Sequence, residues 1–260
     1  MEPVLTVLLV SLLAGCATGL GALPILVVST ISHRVYDAAL GLAAGIMFGA
    51  AVFALIVPGM EGESLGEVLV GVLLGGLFLL VANRAIPHFH MLINGRRTGE
   101  RDVEIEPEDA DTVRRALLVG GSITLHNVPE GLAVGIAFGS GLEGVGFSLA
   151  LAIAIQNVPD GFAMAVPASR TDLSDARTIL YTTLSGGIPE PIAALAGFVL
   201  VAVFTQLFPV AAGFAAGTMM AVIFREMIPQ SHGHGYADEA TLLFIFGFSI
   251  MLFVDTVLAV

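Results

Sequence analysis

LHNVPEGLAVGIAFGSGLEGVGFSLALAIAIQNVPDGFAMAVPAS, residues 125–169, carries one short signature twice: Asn-Val-Pro-acid-Gly at 127–131 and again at 157–161. Each copy lies in an apolar run long enough to cross a bilayer, whose core of about 30 Å needs roughly 20 residues of helix. Outward from this stretch the same kind of run recurs. The 260 residues are 56% hydrophobic and 12% charged, with a mean hydropathy of +0.93, more apolar than a water-soluble domain of this size. Taking the polar breaks as loops predicts eight helices, near 3–28, 37–58, 64–86, 112–138, 144–167, 174–203, 207–229 and 239–260. Backbone groups in lipid must be satisfied within the segment or in a closed barrel, and a barrel would show alternating segments of about 10 residues. Unbroken runs therefore predict an all-α integral membrane protein, a single transmembrane domain over 1–260 with a polar loop at 87–111.

Orientation follows from the basic residues. All ten are Arg, and they fall in or beside alternate loops: Arg34; Arg84, Arg96, Arg97, Arg101, Arg114 and Arg115; Arg170 and Arg177; Arg225. The other loops hold Glu61, Glu63 and Glu143. Short loops rich in Arg face the cytoplasm, which predicts a multi-pass protein of the cell membrane with both termini outside and the 87–111 loop inside. The first segment opens on Glu2 without a basic leader, so it reads as a membrane helix rather than a cleaved signal. Cys16 is the only cysteine, which excludes an intramolecular disulfide and a thiolate cluster. The formal charge of −12 argues against nucleic acid as a partner.

The repeated signature is where chemistry concentrates. Matching repeats on adjacent antiparallel helices interrupted by proline are the pattern of transporters whose binding site lies near the bilayer midplane. Positions i and i+4 share a helical face, so His126 projects with Glu130 and Gln156 with Asp160, with Asn127 and Asn157 beside them. Pro129 and Pro159 lack an N–H and release the carbonyls of Leu125 and Ile155 as further oxygen ligands. Glu130, Asp160 and Glu190 would all sit at membrane depth, where an ionisable group costs about 2.5–3.5 kcal/mol on translocon scales and marks an ion pathway. Bound divalent cations would offset both their desolvation and their repulsion, which favours a two-metal site. Imidazole with carboxylate and amide oxygens suits Zn, Fe, Mn, Co, Ni or Cd rather than Cu(I). The bland alternative is that these groups only hydrogen-bond between helices.

These residues resemble the ZIP (Zrt/Irt-like) family of divalent-metal transporters, whose HNxPEG motif is matched from His126 to Gly131. The likeness extends to QNVPDG at 156–161 and IPEP at 188–191. It implies a 3+2+3 arrangement, the first and last three helices forming inverted repeats around the middle two. It also implies two metal subsites, His126, Glu130, Gln156 and Asp160 forming one and Asn127, Glu130, Asn157, Asp160 and Glu190 the other. Met47 falls where the family contributes a thioether, or is core packing. Many members carry His in place of Gln156 and Glu in place of Asp160, which leaves metal preference open. The resemblance implies Zn²⁺ or another divalent metal as substrate, two ions bound and no organic cofactor, and a homodimer as one state, for which no segment specifies an interface.

At the outer end Glu61 and Asp255 are entrance candidates, Asp255 because it interrupts an apolar helix. At the inner end the His88/His90 and His232/His234 pairs either receive outgoing metal or are merely solvated. The resemblance places Glu226 and Arg225 on the release path, where Arg225 either pairs with Glu226 or Glu190 or snorkels as an anchor. An intramembrane metalloenzyme is the rival from another class, but neither HExxH, a nucleophile elbow nor a P-loop occurs. A metal channel and a metal-sensing receptor stay open alongside a carrier working by alternating access.

Overall fold

The computed structural model describes residues 3–27, 32–61, 64–95 and 107–258, the side chains at 83–95, 107–120, 122, 123 and 258 excepted. Eight helical stretches follow one another among them: α1 (Pro3–Leu26), α2 (His33–Gly59), α3 (Leu65–Gly95), α4 (Pro107–Gly139), α5 (Glu143–Ala168), α6 (Asp175–Val203), α7 (Thr205–Ser231) and α8 (Ala237–Leu258). Seven of them are long and apolar enough to cross a membrane, all but α4, whose first side chains lie outside the described residues. Leu13, Leu73, Ile192 and Phe253 are each more than 60% exposed, a surface that would aggregate in water and suits lipid.

Helix α3 continues to Gly95 and α4 begins at Pro107, so helix reaches into both ends of the stretch expected as a loop. Polarity marks where a helix leaves lipid, not where it must end, since water satisfies whatever backbone groups the helix does not. Residues 96–106, with Arg96, Arg97 and Arg101, lie outside the described residues, as does Glu63.

The helices fall into two groups. Helix α1 runs along α5 and α6, and α4 along α6 and α5; in the second group α3 runs along α7 and α2 along α8 and α7. The groups meet where α2 packs on α5 and α4 on α7. Small residues bring helices together within each group: a Cβ on Gly135 of α4 would overlap the Ala194 carbonyl of α6, and one on Gly45 of α2 that of Phe244 on α8. This is the close backbone approach that packs helices in lipid. No glycine among the described residues makes such a contact between the groups.

Three irregularities position the centre. Helix α6 breaks at Ile188 (φ −100°, ψ −54°), after the Gly186–Gly187 pair and before Pro189, which has no N–H to continue the ladder. Glu190 therefore stands in the first turn of a helix that restarts inside the span, where the positive end of the peptide dipoles favours an acid. Helices α2 and α7 each widen into a π-helical stretch, Ala50–Ile56 and Ile223–Met227, with a proline just beyond, Pro58 and Pro229. Such stretches are rare and concentrate at functional sites. Residues 53–59, FALIVPG, and 224–230, FREMIPQ, align Phe on Phe and Pro on Pro.

Candidate metal centre

His126, Asn127 and Glu130 come from α4, Gln156, Asn157 and Asp160 from α5 and Glu190 from α6; all seven are buried, His126 least so at 5% exposure. The two asparagines of the repeated signature do the same thing on opposite sides. Asn127 Nδ2 donates to the Ser185 carbonyl of α6 at 2.8 Å, and Asn157 Nδ2 donates to the Ala14 carbonyl of α1 at 2.9 Å. Asn157 Nδ2 also donates to Glu190 Oε1 at 2.6 Å, and Gln156 Nε2 donates to Glu130 Oε1.

With the amide nitrogens committed to these bonds, the oxygens are left over. Asn127 Oδ1, Glu130 Oε2, Gln156 Oε1, Asn157 Oδ1, Asp160 Oδ2 and Glu190 Oε2 are buried without a hydrogen-bond partner among the described residues. An unsatisfied buried polar group costs about 1–3 kcal/mol, more when charged. All six are acceptors and three belong to carboxylates, so a cation would satisfy them together. The donor set of imidazole, carboxylate and amide oxygen fits a borderline divalent ion. No three His, Cys, Asp or Glu side chains among the described residues are gathered into a cage by themselves. A cation there would need the amide oxygens as well, and would displace the Gln156–Glu130 bond.

Glu226, in the π-helical stretch of α7, reaches His126: Oε2 lies 2.8 Å from Nε2. This contact joins α7 to α4. The neighbouring Arg225 is exposed. Met47 is fully buried in the main apolar cluster with Ile46, Ala50 and Met219. Glu61 is exposed in the turn after α2 and Asp255 is half-buried on α8; no hydrogen bond joins them to each other. His232 is held by the Ile228 carbonyl at 3.0 Å and Thr241 Oγ1 at 3.1 Å. The side chains of His88 and His90 lie outside the described residues.

One buried acid went unnoticed in the sequence. Asp37 is fully buried on α2, its Oδ1 2.8 Å from His234 Nδ1. An ionisable residue four places after His33, at the start of an apolar helix, was the available signal.

Comparison with known proteins bears on this geometry. The family model described as ZIP zinc transporter matches residues 95–255. The chain is 39% identical to the zinc transporter GufA of Myxococcus xanthus over 95% of this chain and 97% of that protein. It is 39% identical to the zinc transporter ZIPB of Bordetella bronchiseptica over 93% of this chain and 78% of the relative. A zinc transporter ZupT from Chlorobium limicola is 31% identical, with 94% of each chain covered.

Proposed function

From the premise that this chain belongs to the ZIP family and is a multi-pass membrane transporter of divalent metal ions rather than an enzyme, we propose that it carries Zn²⁺ into the cytoplasm through a binuclear site at mid-membrane. The observation that carries this reading is the set of six buried acceptor oxygens without hydrogen-bond partners. One ion would be held by His126, Glu130, Gln156 and Asp160, and its neighbour by Asn127, Glu130, Asn157, Asp160 and Glu190, with Glu130 and Asp160 bridging. Two cations bridged by carboxylates offset both the desolvation and the mutual repulsion of three buried acids. Met47 would lend a thioether from the α2 side, and Glu61 and Asp255 would draw cations to the outer mouth.

The helix pairing supports eight crossings in a 3+2+3 arrangement. Helix α3 lies along α7 as α8 lies along α2, and α1 along α5 as α6 along α4, the symmetry an inverted repeat produces. The two asparagine bonds, to α6 and to α1, follow the same exchange. Alternating access would move α1, α4, α5 and α6 as one body against α2, α3, α7 and α8. Glycine contacts knit each group and, among the described residues, none ties one to the other, which would let the surface between them slide. His126 paired with Glu226 across that surface would release an outgoing ion as the groups part. The arginine-rich alternate loops put both termini outside the cell membrane.

Uptake into proteoliposomes tests the reading, with Zn²⁺, Cd²⁺, Fe²⁺, Mn²⁺ and Co²⁺ offered to the native protein, His126→Ala and Glu130→Ala. Saturable flux lost in both variants is expected, and the ion ranking sets selectivity. Flux that never saturates would make the protein a channel. Metal that binds but does not cross would make it a sensor.

A further inference from the structure

We propose that His33, Asp37 and His234 form a separate divalent-metal site at the end of α2 opposite Glu61, away from the centre on α4, α5 and α6. Asp37 is fully buried. One of its oxygens faces His234 Nδ1 at 2.8 Å, while Oδ2 has no hydrogen-bond partner among the described residues. That is a carboxylate half used, in a place where an unsatisfied oxygen is costly. His33 stands one helical turn before it, so the two side chains share a face of α2. The ring of His33 lies over that of His234, centroids 4.3 Å apart and planes 15° from parallel.

The frame around these three groups is fixed. Ser32 caps α2, its Oγ accepting from the Val35 N–H at 3.4 Å. Arg34 pairs with Glu239 of α8 at 2.9 Å, which ties the first turn of α2 to the far side of the loop bearing His234. Gly235 takes a positive φ of 93°, a conformation that turns the chain sharply just after His234 and that other residues adopt at a cost. Tyr36 stands edge-on to the His234 ring at 5.7 Å.

Two imidazoles and a carboxylate are the ligands of a borderline divalent ion such as Zn²⁺ or Co²⁺, with a fourth position open to water. The rings are stacked rather than convergent, so ligation requires the exposed His33 side chain to rotate toward Asp37 Oδ2. With the arginine-rich loops inside, the site lies on the cytoplasmic face, where it would receive metal leaving the centre. The central acids and amides contribute no ligand to it.

The test uses Co²⁺, whose visible absorption reports ligand type, added to full-length protein in nanodiscs with the centre disabled by Glu130→Ala and Asp160→Ala. One Co²⁺ per chain is expected to remain. His33→Phe keeps a ring stacked on His234 but removes the nitrogens, and it should weaken that binding by at least about tenfold, as should Asp37→Asn. His232→Ala should leave it unchanged. If the centre-disabled chain does not fold, the same substitutions in the intact protein should remove one ion from the total stoichiometry. No residual Co²⁺, or residual Co²⁺ indifferent to His33→Phe and Asp37→Asn, overturns the proposal and leaves Asp37–His234 as a hydrogen-bonded clasp. Because the centre is absent from the main test, this result and the transport result fail independently.

Discussion

Glu130→Gln should change the sign of its effect on stability when metal is added. Glu130 is fully buried, its Oε1 accepts from Gln156 Nε2, and its Oε2 has no partner. An amide of the same shape can still accept from Gln156 through its oxygen and no longer brings a charge out of water. Burying an uncompensated charge is costly, so with chelator present, where no cation offsets that charge, the variant should unfold no more easily than the native protein. Zinc reverses the order. A ligand at a hundred times its dissociation constant stabilises the folded state by about 2.7 kcal/mol, and a chain without the bridging carboxylate loses most of that gain. The assay is thermal or denaturant unfolding in detergent, native and variant side by side, with chelator and with Zn²⁺. Equal destabilisation under both conditions would refute the reasoning, because Glu130 would then be a structural acceptor whose loss costs the same whether or not metal is there.

Asn157→Ala removes the donor to both the Ala14 carbonyl and Glu190 Oε1 and should cost about 1–3 kcal/mol for each orphaned acceptor; Asn127→Ala, which removes the donor to the Ser185 carbonyl, should cost less in the same unfolding assay. Gly135→Ala drives a methyl into the Ala194 carbonyl and should destabilise by about 1–3 kcal/mol, whereas Gly66→Ala on α3 meets nothing within 4 Å and should be neutral or stabilise by up to about 1 kcal/mol. Glu226→Gln should weaken equilibrium metal affinity at the centre by about tenfold to a hundredfold, the usual effect of losing the partner of a ligating His, and should slow uptake measured in proteoliposomes, since Glu226 lies beside His126.

The helices and the seven central residues were legible because both depend on local information. A bilayer imposes its thickness on every apolar run, and a motif repeated at 127–131 and 157–161 places like residues at like depth. What escaped was set by partners distant in the chain. Nothing in the spacing of Glu226 and His126 tells that a hundred residues fold back to bring them within 2.8 Å. The split of α6 at Ile188 was foreshadowed by Gly-Gly-Ile-Pro, yet the expected helix ran straight through 174–203, because proline at the first position of a helix and proline within one look alike until the preceding ψ is known. Asp37 is fully buried at the start of α2, which its place in the sequence does not show. Its partner His234 lies in the α7–α8 loop, which no pattern in α2 announces.

The π-helical stretch of α7 also works as a rotary offset. An α-helix advances its side chains by about 100° per residue, and a wide turn accommodates an extra residue, so the two halves of α7 present faces that an uninterrupted helix would not. The half before the stretch can hold its glycines at 213 and 217 against α3 while Glu226, inside it, points to His126 in the other group. Deleting one residue between 223 and 227 would let the helix close into regular α-helical turns and leave every apolar residue present. Glu226 would then swing by about a quarter turn away from the imidazole. The loss would be one of aim rather than of chemistry, and restoring a residue anywhere in that turn, whatever its side chain, should bring the contact back.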